Sequence, residues 1–390
     1  MTDVTDVIDK AMTAVSVDRA AEIATRLCAI PSPTGEEERC AEAVAEILDV
    51  PGIEVHLEHV VAGRPNVVAT VKGTGDRAPL VLNGHLDASI HEGPWRHDPF
   101  DPWREGNRLF GGGITDMKGA VAAMVAATEA AAAFGPLPGD LVLHAVMHHD
   151  TIGLGAKYVL TSEGPTEGFG ICGEPSGLAI HTANGGAAKF EITVSGTTAH
   201  VSRQEDGSDA LAGAVEVYGA LRDLAVPHDP CERLPDLPRL QVGELHAGYA
   251  PGAVADRAVV RGDLRTVPGM NRQVVRAALE ACVAEACPPG LATRVRLLAV
   301  QKPFLGVTGG PLVDAITAAH AATRGAPPRI TNELPGQAFV TDAADMAAAG
   351  LDTVVYGVGE WHHAPDEWID VDELADSARV YLAVAATPLT

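Results

Sequence analysis

Short apolar runs alternate with amphipathic segments along the first 180 residues. Apolar positions recur at helical spacing in residues 17–29 and 36–48, which predicts two helices. Runs rich in Val, Leu and Ile predict strands at 53–60, 66–71, 80–82, 141–147 and 169–172. Strands that alternate with helices predict an α/β layer with functional residues at strand ends.

Near residue 180 the pattern changes to longer, half-exposed strands. The strands are predicted at 188–194, 240–244, 258–265 and 295–300, and the helices at 210–224 and 272–287. This β-α-β-β-α-β order is typical of a ferredoxin-like α+β unit. We therefore predict the fold class α/β, with a discontinuous domain formed by residues 1–180 and 302–390 and an inserted ferredoxin-like domain at 181–301.

Composition narrows the class of partner and the compartment. A formal net charge of -24 over 390 residues argues against a nucleic acid or an acidic membrane as partner. The six cysteines form no CxxC pair, which favours a reducing compartment. No apolar leader stands at the N-terminus, and the alanine-rich run 120–133 is too short to span a bilayer. These features predict a cytoplasmic, soluble protein.

Candidate chemistry begins where the apolar run 80–82 ends in the sequence GHLD, residues 84–87. A histidine such as His85 can bind a metal through one ring nitrogen, while the carboxylate of Asp87 holds the other nitrogen. Asp116 follows in a glycine-rich turn before the alanine-rich helix. A carboxylate in that turn is placed to bridge two divalent cations.

Three motifs in order carry a family resemblance: GHLD at 84–87, WRHDPF at 95–100 and DMKG at 116–119. The segment resembles the co-catalytic zinc family of acetylornithine deacetylase, succinyl-diaminopimelate desuccinylase and glutamate carboxypeptidase. The resemblance implies that His85 binds one metal ion, that Asp116 bridges two ions, and that Asp87 orients His85.

The resemblance also implies the remaining metal ligands. Glu174, in GEPS at 173–176, matches a carboxylate on the His85 metal, and His363 matches the histidine two places before a proline in the final motif. Gly155 stands five residues after Asp150, and this register matches Asp150 to a ligand of the second metal. The implied cofactor is a pair of divalent ions, zinc first, with cobalt or manganese as alternatives.

One position departs from the family. Residues 148–150 read HHD where the family has Asp-Glu-Glu, so His149 stands where the general-base glutamate is expected. A neutral imidazole can accept a proton from water, and it can also bind the metal itself. Three interpretations stay open: His149 is a substitute base, the site performs another metal-assisted reaction on an amide or carboxylate substrate, or the chain binds metal without turnover.

The inserted domain carries two further matches. His200, in TAHVS at 198–202, matches a histidine that crosses a dimer interface and stabilises the tetrahedral intermediate. Arg265 matches an arginine that binds a substrate carboxylate, although a surface ion pair explains it equally well. The resemblance thus implies a lid and dimerisation domain, a homodimer, and a small-molecule substrate with a carboxylate. The leading hypothesis is hydrolysis of an amide bond next to that carboxylate, by a deacylase or dipeptidase.

Overall fold

The computed structural model describes residues 4–90, 93–162, 164–165, 167–361 and 364–389. Two compact units account for the chain. The first comprises Met1–Ala183, Phe304–Gly336 and Thr341–Thr390, and the second comprises Asn184–Pro303 and Gln337–Val340. Up to the inserted unit the elements are α1 (Val4–Ala14), α2 (Val17–Cys28), α3 (Glu38–Leu48), β1 (Glu54–Val61), β2 (Arg64–Val71), β3 (Leu80–His85), β4 (Trp103–Glu105), β5 (Arg108–Phe110), α4 (Gly119–Phe134), β6 (Leu141–Val146), α5 (His149–Ile152), α6 (Leu154–Ser162), β7 (Gly168–Cys172) and β8 (Ala183–Asn184).

The second unit is an antiparallel sheet with two helices. Its elements are β9 (Gly186–Ser195), α7 (Ala210–Arg222), β10 (Arg239–Ala247), β11 (Arg257–Thr266), α8 (Arg272–Ala286) and β12 (Ala292–Gln301). The strand order is β10-β11-β9-β12. The predicted ferredoxin-like order is confirmed. Asp209 and Asn271 cap α7 and α8 by accepting hydrogen bonds from the first free amides of each helix.

The chain then completes the first unit with β13 (Phe304–Leu305), α9 (Pro311–Arg324), α10 (Ala343–Ala348), β14 (Leu351–Val355), β15 (Trp368–Asp370) and α11 (Val371–Ala386). Its main sheet has the order β1-β2-β6-β3-β7-β14. Strands β6, β3, β7 and β14 run parallel, while β1 and β2 form an antiparallel edge hairpin. This mixed sheet confirms the predicted α/β class.

Both faces of the main sheet are covered by helices. Leu82 packs in a large core with residues of α2, α4 and α11, whereas its neighbour Val81 packs in a second core with residues of α6 and α10. This alternation is the two-residue period of a strand buried on both sides. The segment Ile114–Phe134 is long and apolar enough to cross a bilayer, but most of it is buried inside the structure, as in the core helix of a globular domain.

A buried ion pair braces the loop after α2 against the edge hairpin. The Arg64 guanidinium donates two hydrogen bonds to the Glu37 carboxylate, at 2.9 and 2.6 Å, and the Glu37 side chain is fully buried. Glu37 also accepts hydrogen bonds from the amides of Gly35 and His148. The pair therefore positions the backbone just before His149.

Replacing Arg64 by Met is expected to lower the free energy of unfolding by about 3 kcal/mol, because the Glu37 charge stays buried without its partner. Denaturant unfolding measures the change. The double variant Arg64→Met/Glu37→Gln should recover part of the loss. The exposed pair of Arg26 and Glu46 supplies the control: Arg26→Met should cost under about 0.5 kcal/mol. Equal losses at the two sites would contradict the buried-pair explanation.

His144 makes the stability depend on pH. Burial lowers the pKa of this fully buried imidazole to about 4, and its Nδ1 has no hydrogen-bond partner among the described residues. The unfolded chain binds a proton below pH ~6.5 and the folded chain only near pH 4, so stability should fall as the pH drops through this window. The contribution reaches about 3 kcal/mol.

The His144→Leu variant should show a shallower fall in unfolding free energy between pH 6.5 and pH 4 than the unsubstituted protein. Denaturant titrations at several pH values measure the slope. His56→Gln, at an exposed position of β1, is the matched control and should keep the original slope. An unchanged slope in His144→Leu would show that His144 is not the source.

Candidate metal centre

Three adjacent parallel strands bring ligating side chains together. The order β6-β3-β7 places the carboxyl ends of these strands side by side. His85 is the last residue of β3, His149 follows β6 by three residues, and Glu174 follows β7 by two. One ligand atom from each of these three residues lies within 4.8 Å of the other two, and all three residues are buried.

Hydrogen bonding sets the orientation of the His85 ring. Its Nδ1 lies 2.7 Å from the main-chain oxygen of Asp87. A carbonyl oxygen only accepts, so Nδ1 is the donor and Nε2 points the other way. Nε2 lies 3.1 Å from Oδ1 of Asp116 and 3.8 Å from Oε1 of Glu174. His85 therefore presents a ligating nitrogen to two carboxylates.

His149 is oriented in the same manner by Asp342. The Nδ1 of His149 lies 2.9 Å from Oδ1 of Asp342, whose carboxylate is buried, and the Nε2 lies 3.5 Å from Oε1 of Glu174. The rings of His149 and His85 stack with their centroids 4.4 Å apart and their planes 5° apart. Both imidazoles therefore turn Nε2 toward the same glutamate oxygen.

The Glu174 carboxylate offers a buried oxygen that suits a cation. Its Oε1 is buried and has no hydrogen-bond partner among the described residues. Metal–ligand bonds of about 2.0–2.2 Å at a tetrahedral angle separate the ligand atoms by roughly 3.3–3.6 Å. The distances of 3.1, 3.5 and 3.8 Å around Glu174 and His85 are close to this spacing. The donor set fits a divalent ion.

The electrostatics of the site favour positive charge. Burial alone lowers the pKa of His85, but Asp116, Glu174 and Asp87 outweigh it and raise that pKa well above its ordinary value. Burial also lowers the pKa of His149, but the Asp342 carboxylate outweighs it and raises that pKa to about 10. Burial raises the pKa of Glu174 to about 8 despite the neighbouring imidazoles. An electronegative pocket of this kind attracts cations.

Asp116 is held by the turn Ile114–Lys118, and Glu367 anchors that turn. The Glu367 carboxylate accepts hydrogen bonds from the amides of Gly113, at 2.7 Å, and Thr115, at 3.1 Å. Gly113 has φ +73°, and an added Cβ would lie 2.5 Å from the Cβ of Ala88, so glycine is required here. Glu367 stands four residues after His363, and this spacing alone does not indicate the contact.

Asp87 acts through different atoms than the sequence predicts. Its main-chain oxygen, not its carboxylate, makes the short contact with His85, since the nearer carboxylate oxygen lies 3.8 Å from Nδ1. The carboxylate instead accepts hydrogen bonds from the amides of His149 and Asp150, at 2.9 and 3.1 Å, and from the hydroxyl of Thr34. It is fully occupied in holding the segment that carries His149.

The other predicted residues are placed as follows. Asp150 directs Oδ2 to the hydroxyls of Ser89, at 2.5 Å, and Thr34, at 3.5 Å. His363 lies outside the described residues. In the second unit, His200 is exposed and contacts Ser202 through Nδ1 at 2.8 Å. Arg265 pairs with Asp263 at 3.0 Å and donates to the main-chain oxygen of Ala338.

Asp342 is the residue that sequence reasoning missed. It stands 193 positions after His149, at the start of α10. An aspartate before a helix is usually interpreted as a helix cap, although Asp342 makes no such side-chain hydrogen bond. No local signal distinguishes the two roles.

Comparison with known proteins places this architecture in a class. The chain is 28% identical to the succinyl-diaminopimelate desuccinylase of Dechloromonas aromatica, covering 96% of this chain and 99% of that protein. It is 30% identical to the desuccinylase of Gluconobacter oxydans, covering 82% and 83%. The solved structure of the dipeptidase Dug1p from Saccharomyces cerevisiae superposes with a TM-score of 0.79, 14% identity and 98% coverage of both chains.

The sequence relatives and the family match support the class of metal-dependent amide hydrolases. The sequence profile of peptidase family M20/M25/M40 matches residues 81–387, and the chain belongs to that family. The resemblance drawn from the sequence motifs is thereby confirmed.

Proposed function

We propose that this protein uses divalent metal to hydrolyse an amide bond next to a carboxylate in a small molecule, as a deacylase or dipeptidase does. The observation that carries the proposal is the meeting of His85, His149 and Glu174 at the carboxyl ends of three adjacent strands. Two desuccinylases among the relatives, by their names, remove a succinyl group from succinyl-diaminopimelate. Membership in a hydrolase family does not favour the two alternatives, a non-hydrolytic reaction or metal binding without turnover.

In this proposal His85, Asp116 and Glu174 hold the first ion, and Asp116, Asp150 and His363 hold the second. A mixed set of imidazole and carboxylate ligands suits zinc, and cobalt or manganese can bind to the same ligands. A divalent ion supplies a Lewis acid that activates water and polarises the amide carbonyl. The chain's contribution is orientation: Asp87 and Asp342 hold His85 and His149 so that both Nε2 atoms face Glu174.

The second unit supports the proposal for substrate and partner. Arg265 is braced by Asp263 and by the main-chain oxygen of Ala338, which fixes its planar guanidinium for recognition of a carboxylate.

Helix α7 exposes an apolar stripe of Leu211, Val215 and Tyr218, at helical spacing. Such a stripe supports a homodimer through this unit, in which His200 reaches the site of the partner. The Val215→Glu variant should then elute as a monomer in size-exclusion chromatography with light scattering.

The cellular setting remains part of the proposal. The six cysteines are unpaired in the structure, as expected for a reducing compartment. We therefore retain a cytoplasmic location.

The experiment is an assay of the purified protein loaded with zinc, cobalt or manganese. Its substrates are N-succinyl amino acids, N-acetyl amino acids and dipeptides, and release of free amine is measured. We expect metal-dependent release from members with a free carboxylate and little from the matched carboxamides. No amine release from any substrate by metal-loaded protein would contradict the proposal.

A further inference from the structure

The His149 side chain is turned into the buried cluster that contains His85 and Glu174. Its side chain is buried, its ring lies against that of His85, and its Nε2 is 3.5 Å from Oε1 of Glu174. A general base needs its lone pair directed at the proton that it removes. Here Nε2 faces a carboxylate oxygen of Glu174, which carries no proton to remove when ionised.

The tautomers of the two histidines leave three lone pairs facing one another. The Nδ1–H of His149 donates a hydrogen bond to the Asp342 carboxylate, and the Nδ1–H of His85 donates one to the main-chain oxygen of Asp87. In the neutral rings both Nε2 atoms are therefore acceptors, and both point at Oε1 of Glu174. That oxygen has no donor among the described residues, so with both rings neutral the three atoms repel one another. A metal ion between them relieves this repulsion, as protonation of the rings does in the metal-free protein.

A carboxylate behind an imidazole is the usual support of a metal-binding histidine. The carboxylate fixes the ring and strengthens the ligating nitrogen. Asp342 provides this support to His149 over 2.9 Å, in a buried position. The same geometry is not needed for a solvated surface histidine.

We propose that His149 binds the metal ion through Nε2, together with His85 and Glu174, and that Asp342 is the positioning residue for His149. The inference rests on the proposed function: His149 adds a second imidazole to the ion that His85 binds. The ion then has two nitrogen ligands, which favours zinc and cobalt over manganese. His149 is no longer a substitute for the missing glutamate base.

X-ray absorption at the zinc edge tests the assignment by counting imidazoles around the ion. With one zinc per chain, we expect two imidazoles in the unsubstituted protein and one in His149→Ala. The matched control is His148→Asn: the His148 imidazole contacts the hydroxyl of Thr151, and asparagine tolerates its backbone φ of 64°. His148→Asn should keep two imidazoles.

Zinc affinity, measured by competition with a chelator, gives a second readout. Asp342→Asn should weaken zinc binding by about 10–100-fold, and Asp342→Glu should restore part of it. If His149→Ala unfolds because Asp342 is left buried, the double variant His149→Phe/Asp342→Leu replaces both groups with apolar ones and serves instead. An unchanged imidazole count in His149→Ala, or in the double variant where it is used instead, would overturn the assignment.

These outcomes separate the inference from the proposed function. A protein that binds zinc through two imidazoles but releases no amine would retain the inference and lose the proposed function. A protein that hydrolyses amides with one imidazole on zinc would do the reverse.

Discussion

Replacing Glu174 by Gln is expected to lower kcat/KM for amide hydrolysis by at least about 10³-fold, because it removes a charged ligand from the buried cluster. The amide of glutamine is neutral, and its nitrogen carries protons where the ion should lie. Zinc affinity should fall together with activity. Both quantities are measurable on the same preparation, by titration with a chelator and by release of amine at saturating metal.

Loss of folding does not explain this expected result. Glu174 is buried with one oxygen unpaired among the described residues, and burial raises its pKa to about 8, so the metal-free protein gains no stability from the Glu174 charge that glutamine would lose. Metal-free Glu174→Gln should therefore be as stable as the unsubstituted protein, or more stable. Glu280→Gln, at an exposed site on α8, is the control and should change neither activity nor zinc binding. Full activity in Glu174→Gln would remove Glu174 from the centre.

Replacing Asp87 by Asn should reduce kcat/KM by about 10–100-fold and the free energy of unfolding by about 1–3 kcal/mol. The carboxylate accepts hydrogen bonds from the amides of His149 and Asp150 with different oxygens. Asparagine offers one acceptor and places an NH2 group against the second amide. The segment that carries His149 should then shift.

The Asp87 effect separates two roles, since the main-chain oxygen that contacts His85 is unchanged by the substitution. A large loss of kcat/KM in Asp87→Asn would therefore show that the carboxylate acts by holding the backbone of residues 149–150. Thr34→Val removes the hydroxyl that also donates to this carboxylate and should cost less than Asp87→Asn. Urea unfolding and steady-state kinetics measure the stability and the activity of the two variants. Equal losses in Thr34→Val and Asp87→Asn would contradict the prediction that the carboxylate contributes more than the hydroxyl.

Much of the fold was predictable because its signals are local. The apolar run at 80–82 and the strand predicted at 258–265 correspond to β3 and β11, each within a few residues of the observed ends. Helices α1, α9 and α11 lie outside the predicted elements. Helix α11 is buried over most of its length and therefore lacks the polar face from which an amphipathic helix is recognised.

The sequence by itself determined that one strand leads into His85 and another ends shortly before Glu174, and it showed the turn that carries Asp116 and the unusual imidazole at position 149. The spacing of hydrophobic residues and the residues that form turns depend on positions that are close in sequence, so both can be recognised from the sequence alone. The tertiary structure alone decided that β6, β3 and β7 lie side by side, that Asp342 supports His149 from 193 residues away, and that the Asp87 carboxylate holds backbone amides. These contacts follow from strand order and from how distant segments pack, and such through-space neighbours leave no period in the sequence.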